Sequence, residues 1–358
     1  MKSSLDNQNP KAQNPRANAG QEDSRTVSEV GEFELIDRLV AALGEMPLVT
    51  GLGSSLVLGA GDDCAAARPG PGALTLFTTD TMVSGIHFLP EFPPEDLGWK
   101  SLATNISDIA SMGGLPTMAL VTLAIPACLN LEWLLGWYRG MGECARTYNV
   151  NVCGGDIVRT LQDVAITVSL SGEVEAERMV TRSGVCVGDR LIVTGCLGDS
   201  AGGLALHQAG VPGFASLLKT HLQPQPRVTE ARLASCSCQV HGMLDLSDGL
   251  GGDLRHLCEA SGVGARVDSA SIPISAELRR AAIHLKQSAL QFAIRGGEDY
   301  ELLLAVSPAS VQPTLDAIAS AGRISGTVIG TILPASAGVL LITEDGAEWE
   351  LDRSFTHF

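Results

Sequence analysis

The sequence lacks any run of the ~20 apolar residues that a membrane-spanning helix needs. Its most apolar stretch, Met118 to Trp137, is broken by Pro126, Asn130 and Glu132. No apolar core follows the first basic residues, so no secretory signal is read and a cytoplasmic protein is expected. Basic charge is scarce: 24 Lys and Arg stand against 40 Asp and Glu, a formal charge of -16. That balance opposes binding to nucleic acid or an anionic membrane, which depends on Lys and Arg displacing counterions. An anionic small substrate would therefore need metal ions. The nine cysteines include no C-x-x-C pair, and Cys64, Cys153, Cys196 and Cys258 sit among apolar residues, so neither a disulfide framework nor a zinc site is expected. Cys236-Ser-Cys238 reads as two thiols in a helix. Absent too are G-x-x-x-x-G-K-[ST] and a G-x-G-x-x-G after a first strand, which disfavours P-loop and dinucleotide-binding folds.

What is present is ordinary globular material, 358 residues with 45% apolar and 18% charged. Two domains are expected, because a single core stops growing at about 250–300 residues. Residues 1–28, rich in Asn, Gln, Ser, Ala and Pro without hydrophobic period, read as a disordered leader. Order is expected from Gly31, with Phe33, Ile36, Leu39 and Val40 at helical spacing. Residues 29–176 then mix strands (Leu74 to Phe77, Met118 to Ile125, Val150 to Cys153, and the alternating Val164, Ile166, Val168, Leu170) with helices over Leu97 to Met112 and Leu131 to Tyr148. The pattern turns polar near Glu177, and residues 177–358 repeat the mixture. Helices are expected over Ser200 to Ala209, Arg227 to Cys236 and Gly249 to Ala260. Strands are expected over Gly242 to Leu246, Ala265 to Val267, Glu301 to Val306, Val328 to Ile332 and Val339 to Ile342.

Six segments put carboxylates beside Gly, Ser or Thr at the end of an apolar run, where α/β proteins place ligands. They are Gly61-Asp62-Asp63, Thr78-Thr79-Asp80, Asn105-Ile-Ser107-Asp108, Gly154-Gly155-Asp156, Asp245-Leu-Ser247-Asp248-Gly249 and Gly296-Gly297-Glu298-Asp299-Tyr300-Glu301. Each alone is explained by a helix N-cap or Asx-turn; six in one chain suit Mg²⁺, which takes hard oxygen ligands in octahedral geometry. The Gly-rich turns at Gly154-Gly155 and at Gly195 to Gly203 offer backbone N–H groups to phosphate, the second ahead of a helix. His87, after a Gly turn, can donate to a phosphate oxygen, and Arg182 suits bidentate phosphate contact.

Read in order, Gly61-Asp-Asp-Cys-Ala, Thr79-Asp-Thr-Met-Val-Ser-Gly-Ile-His-Phe, Asn105-Ile-Ser-Asp-Ile-Ala-Ser-Met-Gly-Gly-Leu-Pro, Gly154-Gly-Asp, Asp245-Leu-Ser-Asp-Gly-Leu and Gly296-Gly-Glu-Asp-Tyr-Glu-Leu resemble the thiamine-phosphate kinase family, which shares its fold with aminoimidazole ribonucleotide synthetase. The likeness runs from Gly31 to Phe358. Met82, Ser84 and Gly114 depart from the family's usual residues, and none of them is a ligand.

The resemblance implies an α/β (α+β) chain with the two-domain aminoimidazole ribonucleotide synthetase-like fold. Its N-terminal domain, residues 29–176, would bind ATP and Mg²⁺ and form a dimeric β-barrel; its C-terminal α/β domain, residues 177–358, would close over the nucleotide. It implies transfer of the γ-phosphoryl group of ATP to thiamine monophosphate within a homodimer. Several Mg²⁺ ions would be held by Asp63, Thr78, Thr79, Asp80, Asp108, Asp156, Asp245 and Asp248. Asp80, Asp156 and Asp248 would form the catalytic centre, and Gly155, Asp156, Arg182 and Ser247 would contact ATP. His87, Glu298 and Phe355 would contact thiamine monophosphate. Another ATP-using enzyme of the same superfold, or a non-catalytic divalent-ion or nucleotide module, remains open on the residues alone.

Overall fold

The computed structural model describes residues 25–30, 32–47, 49–58, 66–237, 239–322 and 324–351. The chain begins with α1 (Glu32–Leu43) and a small antiparallel sheet of β1 (Val49–Thr50), β2 (Ser54–Leu58) and β3 (Ala66–Arg68). It continues through β4 (Ala73–Val83), α2 (Pro94–Ser111), β5 (Leu115–Pro126), α3 (Leu131–Thr147), β6 (Asn151–Thr160) and β7 (Ala165–Glu175). The last four strands form one sheet in the order β4-β7-β5-β6, antiparallel except for β5 with β6. Arg25–Ser28, assigned to the leader by composition, instead bond through their backbone to Ala127, Leu129 and Leu131.

The C-terminal half supplies β8 (Arg190–Thr194), α4 (Asp199–Gln208), α5 (Ala215–Leu222), α6 (Val228–Ser237), β9 (Val240–Asp245), α7 (Leu250–Ser261) and β10 (Val263–Asp268). Next come α8 (Ala276–Leu285), α9 (Ala289–Arg295), β11 (Leu302–Val306), α10 (Val311–Ser320), β12 (Gly326–Pro334), β13 (Val339–Ile342) and β14 (Glu348–Glu350). Its seven strands run β14-β13-β10-β12-β8-β11-β9, which leaves β9 at an edge.

Alternation builds the first sheet. Ile166, Val168, Leu170 and Val174 of β7, with Val121 and Leu123 of β5, bury one face against α2 and α3. The two helices pack so closely that a Cβ on Gly140 would stand 1.8 Å from the Glu95 carbonyl. The opposite face is open, with Phe77, Leu120 and Val158 exposed on it. No closed barrel exists among the described residues; the expected barrel would need a second chain.

The central element is α2. Leu97, Leu102, Ile106 and Ile109 are buried, but so are Lys100, Ser101, Thr104, Asn105 and Ser107. A helix buried on every side must satisfy its polar groups internally. Those of α2 face β4 on one side and β9, α5 and the loop before β11 on the other, which places the domain junction at the candidate site.

Candidate active site

Strand pleating sorts the acidic segment of β4. Thr78, Asp80 and the buried Met82 point toward α2, while Thr79 points to the open face, where its hydroxyl meets Ser169 Oγ at 3.0 Å and donates to the Val168 carbonyl at 3.2 Å. Across from them, Thr104, Ser107 and Asp108 recur at helical spacing on one side of α2. Thr78 Oγ1 donates to Asp108 Oδ2 at 2.5 Å, and Ser107 Oγ donates to Asp245 Oδ2 at 2.7 Å, the latter bond crossing from the N-terminal domain to the end of edge strand β9. The Thr104 hydroxyl bonds Asp80. Three carboxylates from three elements thus converge.

Their electrostatics record the crowding. Burial, then the Asp245 charge, push Asp108 up to about 7. Burial raises Asp80 against the Thr104 bond and the nearby His87, and it raises Asp245 against the Ser107 bond and the Arg182 charge. Asp253 is pushed up to about 8 by burial and by the charges of Asp245 and Asp248, while its Oδ2 accepts the N–H groups of Asp248 and Gly249 at 3.0 and 3.1 Å. Buried like charges surrounded by hydroxyls, an all-oxygen set of ligands among the described residues, fit a hard divalent cation of the Mg²⁺ class. Beside them a cavity of about 530 Å³ is lined by Phe77, Thr78, Asp108, Met112, Arg182 and Met243, a volume within the range of small-molecule sites.

The segment from Gly296 to Glu301 divides by function. Glu298 and Tyr300 both adopt left-handed backbone, φ +64° and +51°, so successive side chains turn to different sides. Asp299 turns away and caps α4, accepting the N–H groups of Gly198 and Ser200 at 2.7 and 3.4 Å. The α4 N-terminus, expected from sequence to hold phosphate, is thereby filled by the protein's own carboxylate. Glu301 bonds Arg227 and Thr194 within the C-terminal core. Glu298 alone turns toward the domain junction, where Lys100 Nζ lies at 3.1 Å and His221 Nδ1 at 3.4 Å. Burial would raise Glu298, but the charge of Lys100 and its hydrogen bond outweigh it and hold the carboxyl below the usual range. Burial, then Lys100, depress His221 to about 3. Its neutral ring therefore accepts from Lys100 at Nε2, 3.3 Å away, and faces Ser200 Oγ at 3.0 Å through Nδ1.

Lys100 is 1% exposed and Glu298 33%. Lys100→Met is accordingly expected to cost about 1–3 kcal/mol of stability, less than a fully buried pair because solvent screens Glu298. Adding Glu298→Gln should recover most of that loss by thermal melting. Recovery of stability without recovery of KM would separate a positioning role for the pair from a folding role.

Several expected residues lie elsewhere. Asp156 sits within β6, not in a turn, and accepts its own Ile157 N–H at 2.9 Å. Its register partner is Thr122 of β5, so it shares the open face with Thr79, on the far edge of the sheet from β4. Gly155 is required by packing, since a Cβ there would stand 1.9 Å from the Val121 carbonyl. Ser247 offers its carbonyl to the Glu298 N–H at 2.7 Å, which keeps Asp248 and Glu298 on neighbouring loops. His87 Nδ1 accepts the Val83 N–H at 3.1 Å, which leaves its ring proton on Nε2. Asp63 and Phe355 lie outside the described residues. Sequence reading missed Lys100, His221, Thr104 and Asp253. The one local signal was polar residues recurring on a helix otherwise apolar all round.

Comparisons with known proteins cover nearly the whole chain. The AIR synthase related protein N-terminal domain matches residues 61–174, and the corresponding C-terminal domain matches residues 186–342. Thiamine-monophosphate kinase of Escherichia coli is 36% identical over 335 residues, 92% of this chain and 98% of that protein. Its counterpart in Bacillus subtilis is 34% identical over 313 residues, 85% and 94% of the two chains. Among solved structures, thiamine-monophosphate kinase from Stenotrophomonas maltophilia superposes with a TM-score of 0.76 at 33% identity, covering 90% of this chain and 98% of that one. AaThiL complexed with AMPPCP and TMP gives 0.72 at 30% identity, over 93% and 99%. Escherichia coli HypE, a hydrogenase maturation protein, gives 0.69 at 21% identity over 90% and 98%, a likeness of fold alone.

Proposed function

From its membership of the AIR synthase related proteins, in the thiamine-monophosphate kinase family, we infer that this chain transfers the γ-phosphoryl group of ATP to the phosphate of thiamine monophosphate, giving thiamine diphosphate. The observation that carries this reading is the convergence of Asp80, Asp108 and Asp245 with Thr78, Ser107 and Arg182 at the domain junction. The relative bound to AMPPCP, an ATP analogue, and TMP supports it.

A phosphomonoester has a second pKa near 6, so the acceptor oxygen is already deprotonated at neutral pH and no general base is needed. The task left to the protein is alignment of two polyanions. We assign Thr78, Asp80, Asp108, Asp245 and Asp248 to Mg²⁺, together with Asp63. The chemistry a divalent cation supplies there is neutralisation of charge between donor and acceptor phosphates. Arg182 and Ser247 face the donor phosphates. His87 Nε2–H and Glu298 face thiamine monophosphate, Glu298 held by Lys100 and His221, with Phe355 against its rings. ATP is a cytoplasmic metabolite, and the reading places the enzyme in the cytoplasm; no described helix is long and apolar enough to cross a membrane.

The reading includes a homodimer in which the open faces of two β4-β7-β5-β6 sheets close into a barrel. Exposed Phe77, Leu120 and Val158 support this, since none of the described residues covers their face within one chain. It also gives Asp156 a role. Asp156 and Thr79 point to the same face from opposite edges, so Asp156 would reach the β4 edge of a second copy rather than its own.

The pH dependence of cation binding tests the acidic cluster. Asp108 and Asp253, at about 7 and 8, lie above the ordinary carboxylate value of roughly 4. Between those limits the folded, cation-free chain keeps protons that the unfolded chain has lost. Its stability from these groups is therefore full below about pH 4 and declines as pH rises through 7 to 8. Cation binding needs the deprotonated form. Mg²⁺ is thus expected to raise Tm more at about pH 8 than at about pH 5.5; an equal rise would contradict the assignment. A panel of acceptors offered with ATP and Mg²⁺ tests the substrate: turnover of an aminoimidazole ribonucleotide precursor or of selenide, with none of thiamine monophosphate, would move the chain elsewhere in the superfold.

A further inference from the structure

We propose that Cys186, Asp189 and His241 form a separate binding site for a borderline-soft divalent cation of the zinc class. Among the described residues they are a group of three potential ligands whose donor atoms all lie within 4.8 Å of one another. A thiol, a carboxylate and an imidazole make a donor set that suits zinc and not Mg²⁺, and three protein ligands leave a fourth position for water. The sequence hides the site because its members come from a turn and from a strand about fifty residues later, with no C-x-x-C spacing between them.

The local fold presents the three groups together. Cys186 to Asp189 is a turn entering β8, closed by the Asp189 N–H on the Cys186 carbonyl at 3.0 Å and anchored by the Gly188 N–H on the Ile332 carbonyl at 3.0 Å. Asp189, itself 3% exposed at its side chain, accepts the Cys186 N–H at 2.8 Å and meets His241 Nδ1 at 2.9 Å through one oxygen, Oδ2. Its second oxygen has no bond within this group. Cys186 is exposed, so a cation can enter from solvent. Binding releases the thiol proton to solvent and leaves the one ring proton of His241 on Nε2, and it requires the Nδ1···Oδ2 pair to open by a few tenths of an ångström for tetrahedral bonds of about 2.0–2.3 Å.

The site is distinct from the acidic cluster. His241 and Asp245 lie four residues apart on β9, about 13 Å along the strand. The two are nonetheless linked mechanically. Cys186 ends the segment that carries Arg182, and the other end of that segment is tied to β9 by the Met243 N–H on the Thr181 carbonyl at 3.1 Å. An occupied site would fasten both ends of the Arg182 segment to the same strand.

Cobalt titration of the full chain tests this, with saturating Mg²⁺ present to fill the oxygen cluster. The expected result is a single saturable equivalent with thiolate-to-cobalt absorption. That absorption should vanish in Cys186→Ser, and affinity should fall by at least about 10-fold in His241→Gln, while Mg²⁺-supported turnover is unchanged in Cys186→Ser. Absence of thiolate-to-cobalt absorption in the wild type would overturn the proposal. So would undiminished absorption in Cys186→Ser, which would place the cation on another cysteine.

Discussion

Asp80→Asn is expected to lower turnover by about 10²–10³-fold while leaving the cation-free protein at least as stable as the wild type. The two effects have one cause. Asp80 is held among Asp108 and Asp245 in a buried setting where its charge is disfavoured, so removing that charge relieves the empty site and cripples the loaded one. Asn keeps the shape and can still bond Thr104. Product formation and thermal melting in a chelator measure the two effects separately. Turnover within a few-fold of wild type would remove Asp80 from the cation site, and a large loss of Tm would mean that it serves the fold.

The second large effect is a gain of activity. Asp156→Asn alone is expected to be nearly inactive, as is Asp80→Asn. If Asp156 completes the site of a second copy, co-expression of the two variants makes mixed dimers with one site intact and one doubly impaired. Random assembly makes half the dimers mixed, so roughly a quarter of wild-type activity should return. If Asp156 acts within its own chain, every site in the mixture carries a lesion and activity stays at the level of the single variants. The sheet favours the first result, because Asp80 and Asp156 lie on opposite faces and on opposite edges.

The sequence displayed the chemistry more clearly than its placement. The acidic segments were legible as a set, and the two-unit α/β pattern followed from alternation and helical period. The segments were expected at turns, however, and among the described residues only the end of β9 with its following loop, and the loop before β11, fit that expectation. Thr78-Thr79-Asp80 lies in the middle of an eleven-residue strand. Its run of β-branched threonines favours a strand without any apolar alternation to reveal it. Asp108 belongs to α2 and Asp156 to β6. Lys100 and His221 were invisible because they meet each other across 121 positions of sequence, and meet Glu298 from another segment again. In Glu298-Asp299-Tyr300-Glu301 the acids look equivalent in sequence. Only the two left-handed residues separate the one at the domain junction from the two that bind α4 and Arg227.

The most direct test of phosphate-to-phosphate transfer is to mix the full chain, Mg²⁺, thiamine monophosphate and ATP labelled at its γ-phosphorus, with thiamine as a parallel acceptor. The expected product is thiamine diphosphate carrying the label on its outer phosphate, formed mole for mole with ADP, and no labelled product from thiamine. Label found only in inorganic phosphate, or in thiamine monophosphate made from thiamine, would contradict it.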